Sequence, residues 1–123
     1  MLASCSSKIN INNYIDKNSS FILTLNSTDK ITDLTKVTQT DIKVNSHKYS
    51  KLIEWFNNNE SGWQLTPSSY LANISVRQGS FGLLYTKGTD GAVISFIDKE
   101  NKSRQYSKSI TKGELDFLSL MNE

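Results

Sequence analysis

Apolar and polar positions alternate along most of the second half of the chain. In "SYLANISVR", Tyr70, Ala72, Ile74 and Val76 fall on one face and Leu71, Asn73, Ser75 and Arg77 on the other. This is the two-residue period of a half-buried strand. "FGLLYT" repeats the pattern with Phe81, Leu83 and Tyr85, "AVISFI" continues as a more buried strand, and "RQYSKSI" is a polar, edge-like strand. The connecting turns "QGS", "KGTDG" and "DKENKS" are too short for parallel crossovers, so the four segments predict an antiparallel meander.

Upstream the period changes. Tyr49, Leu52, Ile53 and Phe56 stand at i, i+3, i+4 and i+7, Trp55 widens the stripe, and Ser46 offers an N-cap oxygen. His47, Lys48, Lys51 and Glu54 take the wet side, and "NNNESG" supplies the stop. A second helix is predicted at the C-terminus. There Thr111 and Glu114 stand in capping-box relation ahead of Leu115, Leu118 and Met121.

Near the N-terminus "KINI" sets Ile9 and Ile11 on one face of a short strand. "FILTL", Phe21 to Leu25, has apolar residues on both faces and suits a central strand. From Asn26 to Asn45 the signals conflict. Ile31, Leu34 and Val37 are three apart, as in a helical turn, whereas the Thr and Val content favours strand. The segment is read as irregular, with a strand at Ile42 to Val44. The fold class expected is α+β: an antiparallel sheet of about five to six strands, including a C-terminal meander over residues 63–110, with two helices at about 47–58 and 112–121 on one face. Residues 1–8 form a tether and residues 9–123 a single domain.

Composition narrows the function classes. The 123 residues are 37% hydrophobic and 21% charged, enough for a packed core and too apolar for a disordered chain. Fourteen Lys and Arg are dispersed among twelve acids, for a net charge of +2. Nucleic-acid binding by counterion release wants a clustered basic stripe, and this scatter argues against it. No stretch approaches the ~20 apolar residues of a membrane-spanning helix. One His and one Cys cannot make a His/Cys metal site, and "DKENKS" lacks the glycine and distal Glu of a calcium loop. "GTDG" is a hairpin turn rather than a phosphate-binding loop. Cys5 is far in sequence from His47, and the carboxylates Glu54, Glu60, Asp90 and Asp98 have no hydrolase-like context. The expectation is a non-catalytic protein with no cofactor and no metal.

The single cysteine stands in "LASC", Leu2-Ala3-Ser4-Cys5, followed by the polar "SSK". This stretch resembles the bacterial lipobox, in which Leu and two small residues precede an acylated Cys. The resemblance covers four residues and says nothing about the rest of the chain. It implies that Cys5 carries lipid, that a signal segment precedes Leu2 in the precursor, and that several acyl chains hold the protein on a bilayer. By the same analogy, Ser6 rather than Asp after the Cys implies the periplasmic face of the outer membrane.

With no reactive constellation, the expectation is protein binding. Trp63, Tyr70 and Leu71, around the helix-to-sheet junction, are candidate partner anchors. Leu71, Leu84 and Ile97 are outward positions that would make an apolar stripe on the second sheet face. The function expected is that of an immunity-type lipoprotein neutralising a toxin. The alternatives are an accessory lipoprotein of a secretion, conjugation or envelope-assembly machine, and a small periplasmic hydrolase or ligand-binding domain.

Overall fold

The computed structural model describes residues 6–66 and 72–120. Within them the chain runs β1 (Ser6–Ser7), a 3₁₀ turn (Ile11–Asn13), β2 (Phe21–Thr28), β3 (Thr35–Ile42), α1 (His47–Asn58), β4 (Trp63–Leu65), β5 (Ile74–Gln78), β6 (Phe81–Tyr85), β7 (Gly91–Ile97), β8 (Ser103–Ser109) and a 3₁₀ turn (Asp116–Ser119). All strands join one antiparallel sheet in the order β1-β4-β8-β7-β6-β5-β2-β3. Seven of them have three or more residues, and β1 extends one edge by two. The class is α+β, as the alternation implies, with more strands and fewer helices than expected.

The meander β5 to β8 follows the sequence pattern. Ile74, Val76, Phe81, Leu83, Tyr85, Ala92, Ile94 and Phe96 are all buried on the inner face. The cross-strand register sets Leu23, Val76, Leu83, Ile94 and Tyr106 in one row. β2 is internal, paired with both β3 and β5, which accounts for apolar residues on both of its faces. β4 is not a first meander strand. It lies beyond β8, with Leu65 opposite Tyr106, so the segment leading to β5 connects opposite sides of the meander.

α1 packs on the inner face with the predicted stripe. Ser46 accepts the Tyr49 amide at 3.1 Å as its N-cap. Phe56 is fully buried, its ring centroid 6.1 Å from Phe21 and 5.5 Å from Phe81, while Trp55 meets Trp63 edge-on at 6.2 Å. Such edge-to-face pairs add to the area they bury. Lys48, expected on the wet side, is buried, and its ammonium donates to the carbonyls of Leu118 and Leu120. At the far end Asn59 donates to the Trp55 carbonyl and accepts the Trp63 indole N–H through its own carbonyl.

Four expectations are corrected. Residues 9–11 are not a strand: both Ile9 and Ile11 are buried, but Ile11 begins a 3₁₀ turn capped by Asn10. Residues 26–45 are not irregular, because β3 pairs with β2 from Thr28↔Thr35 to Phe21↔Ile42. Its burial pattern is almost wholly exposed, so no apolar alternation marks it. The helix expected at 112–121 is a series of turns ending in 3₁₀ at Asp116–Ser119, with Met121 outside the described residues. Half of the capping box forms, the Thr111 amide donating to Glu114 Oε1 at 3.1 Å. Gly113 then takes φ +77, in the left-handed region, and donates its amide to Thr89. That bond ties the segment to the β6–β7 turn instead of into a helix. Ser6 and Ser7, expected in the tether, pair with Gln64 and Trp63.

Gly113→Ala tests this account. A Cβ there would stand 3.2 Å from Asp116 Oδ2 on a left-handed backbone. The substitution is expected to destabilise by about 1–2 kcal/mol in urea denaturation. A neutral or stabilising result would mean that the segment becomes helical when the glycine is removed.

Candidate functional site

The residues proposed from sequence are not gathered into one surface. Trp63 is 0% exposed, enclosed by Trp55, the Asn59 carbonyl and the Lys108 ammonium 5.9 Å from its ring, so it is core and not a partner anchor. Its side chain follows the alternation of β4 onto the inner face, where α1 covers it. Cys5, Tyr70 and Leu71 lie outside the described residues. Leu84 and Ile97 share the outer face, but the Gly82–Ser95 pair stands between their rows, so the two do not form a continuous apolar stripe. Ile97 is 47% exposed at the end of β7, and Leu84 is half-buried beside Val93.

The candidate acid and base groups are likewise apart. His47 is exposed at the start of α1. Asp90 precedes β7 and Asp98 follows it, which separates them by roughly 25 Å along a strand. Asp98 is occupied by its turn: it accepts Arg104 Nε at 2.7 Å and the amides of Glu100 and Lys102 at 2.9 Å. The Arg104 bond, then these amides, hold its carboxyl below the usual range. Among the described residues no group of three His, Cys, Asp or Glu converges on a metal position. No helix among them is long and apolar enough to cross a membrane.

Two other features share one end of the sheet, the end that carries the β6–β7 turn. The first is the tip of the β2–β3 hairpin. β2 pairs with β5 only from Ile22 to Leu25, and beyond Asn26, whose amide donates to the Asn73 carbonyl, the hairpin overhangs. Its loop is fixed by polar bonds: Asp29 donates its amide to the Leu34 carbonyl and accepts the Ile31 amide on its side chain, and Asp33 sits at φ 58. This frame presents Ile31 at 96% exposure and Leu34 at 69%, with Val37 at 62% beside them on β3. Large apolar side chains held out by an ordered turn cost solubility unless a partner covers them. Sequence reading saw these three residues only as an ambiguous three-residue spacing.

The second feature is a recess of about 670 Å³ on the outer face. Its floor is the row Leu84–Val93–Ser107–Gln64, and the next row is Gly91–Ser109. Val93 is only 5% exposed although it points away from the main core. Asp90 stands on the rim, and its carboxylate has no partner among the described residues. Lys108 also borders the recess, but it pairs with Ala92 on the core-facing side and donates its ammonium to the Ser61 carbonyl at 2.6 Å.

A polar clasp beneath the recess fixes the β6–β7 turn. Asp116 accepts the Tyr85 hydroxyl at 2.5 Å and the Gly88 amide at 2.9 Å through the same oxygen. Burial, followed by the Asp116 bond, pushes the Tyr85 hydroxyl up to about 12, and the Tyr85 bond is the first cause holding the Asp116 carboxyl low. No family model, curated relative or solved structure matches this chain, so function must be argued from its own residues.

The clasp sets two pH limits. Asp116 is stabilising when ionised, so its contribution is complete above its ordinary value of 3.8 and falls away as the pH drops below it. Tyr85 is stabilising when protonated, so its contribution is complete below 10.0 and is lost as the pH rises from there through about 12. Asp116→Asn is expected to weaken the fold near neutrality and to flatten the acid limb of a stability–pH curve. Tyr85→Phe is expected to flatten the alkaline limb. An acid limb unchanged in Asp116→Asn would remove the clasp from this account.

Proposed function

We propose that this chain is a non-catalytic, lipid-anchored envelope protein that works by binding another protein, most simply as an immunity-type lipoprotein that neutralises a toxin. The observation that carries the binding reading is the ordered hairpin tip, with Ile31, Leu34 and Val37 outside any core of their own chain. Asp29, Lys30, Asp33 and Lys36 are interspersed with these side chains. Charges of both signs around apolar side chains suit a protein partner whose apolar pocket has a polar rim. The separation of Asp90 and Asp98 by the length of β7 supports a binding role over a hydrolytic one. The envelope address rests on the resemblance of Leu2-Ala3-Ser4-Cys5 to a lipobox.

The test is a competition between siblings. A strain deleted for the gene should be outgrown by its parent in dense co-culture and rescued by the wild-type gene. Ile31→Asp combined with Leu34→Asp should fold, with a melting temperature within a few degrees of wild type, yet fail to rescue. A deletion strain that holds its numbers beside the parent sinks the immunity reading. If it shows an envelope-assembly defect instead, the accessory role takes its place. Separately, Cys5→Ser should abolish incorporation of radiolabelled palmitate and release the protein from membranes, and unchanged labelling would remove the anchor.

A further inference from the structure

We propose that the chain forms a two-fold homodimer by strand pairing along the free edge of β3. This strand closes the sheet at the side opposite β1 and runs for eight residues. Its pairing with β2 is unbroken from Thr28↔Thr35 to Phe21↔Ile42. Alternate residues of an antiparallel strand turn both main-chain groups to the same neighbour. Asn26 gives its amide to Asn73 on the β5 side, whereas Asp29 gives its amide to Leu34 within the hairpin. By that alternation Thr35, Val37, Gln39 and Asp41 turn their N–H and C=O groups to the open side. Among the described residues none of these groups has a partner. Residues 67–71 have to join β4 to β5, four strand spacings or roughly 19 Å, which takes up nearly all of their reach. Residues 1–5 precede β1 at the far edge, and residues 121–123 are too few to pair along β3. A regular edge of this length, with one lysine and neither proline nor bulge, is a template for another strand.

The strand's own sequence selects a second copy as the occupant. A two-fold register centred on Thr38 sets Thr35 against the second copy's Asp41 and Val37 against its Gln39, and the reverse. Every outward N–H and C=O of both strands is then used. Moving the centre to Gln39 sets Val37 against Asp41 and carries Thr35 past the end of the facing strand. On the inner face of the favoured register Thr38 meets Thr38, a stabilising cross-strand pair, and Lys36 meets Thr40, so no like charges are opposed. The match continues past the ladder. Leu34, 69% exposed, comes opposite Ile42 of the second copy, and Asp33 comes opposite its Lys43. Among the described residues the ion pair is Arg104–Asp98, so Asp33 and Lys43 are both free to pair between copies. Ile31 lies beyond these contacts, so the dimer leaves the apex of the tip to a protein partner.

The experiment uses the 123-residue chain with Cys5→Ser, so that introduced cysteines are the only thiols. Analytical ultracentrifugation should show twice the 13.9 kDa mass of one chain, with a dissociation constant of roughly micromolar order for so small an interface. Gln39→Pro removes an outward N–H that β2 does not use. Its melting temperature should stay within a few degrees of the parent while the dimer weakens at least about tenfold. Thr38→Cys should cross-link the dimer under mild oxidation, since facing Cα atoms of a non-hydrogen-bonded pair lie about 4.5 Å apart. Thr40→Cys should not, because the register holds the two copies of that residue roughly 13 Å apart. If Gln39→Pro does not fold, the two cysteine variants decide between the outcomes. A chain still monomeric at about 0.5 mM, a dimer indifferent to Gln39→Pro, or equal cross-linking by Thr38→Cys and Thr40→Cys would overturn the proposal. The toxin-binding reading is scored separately by rescue in co-culture. A monomer that rescues removes the dimer alone, and a dimer that fails to rescue removes the immunity reading alone.

Discussion

An antiparallel sheet with one apolar face must hide that face, and everything else in this molecule follows from how α1 does so. The helix lays Tyr49, Leu52, Trp55 and Phe56 on the sheet, and Phe56 sits between Phe21 of β2 and Phe81 of β6. These rings join strands far apart in sequence, so they fix which strands the sheet contains as well as how it is covered. Truncating such a ring removes both its transfer energy and the packing around it, typically ~3–5 kcal/mol.

One helix does not suffice. Eight strands at the usual spacing span roughly 34 Å, and a helix covers a band about 10 Å wide. The remainder is closed by short irregular segments: Ile9 and Ile11 at one end of the chain, Leu115 and Leu118 at the other. Such segments have little hydrogen bonding of their own, so they are fastened by side chains. Trp55 donates to the Glu114 carboxylate, Lys48 to the carbonyls of Leu118 and Leu120, and Tyr85 to Asp116. Each bond joins a core element to the C-terminal segment, which explains why Lys48 is buried and why Glu114 meets the Trp55 indole.

Covering the inner face this way leaves the outer face and the strand ends for function. The hairpin tip extends past the last β2–β5 pair because β5 begins only at Ile74. The recess lies at the same end, with Gly91, Ser107 and Ser109 among the residues that border it.

The meander and α1 were legible in the sequence because their burial is periodic: one face of each strand and one stripe of the helix meet the core, and the alternation records it directly. β3 was not, since its exposed position at the sheet edge removes the apolar alternation and leaves Val37 and Ile42 as isolated apolar residues among Thr, Gln, Lys and Asp. The C-terminal helix was predicted from a capping box and an apolar stripe that are both present, yet local preference lost to the Thr89, Tyr85 and Asp116 contacts. Trp63 shows the limit for site prediction, because an aromatic residue at a junction looks the same in sequence whether it anchors a partner or closes a core. The sequence alone determined the periods and the turns, since those are properties of neighbouring residues. The tertiary structure decided that β4 flanks β8, that Lys48 is buried, and that Ile31 and Asp90 face solvent, because each depends on which distant segment comes to lie beside it.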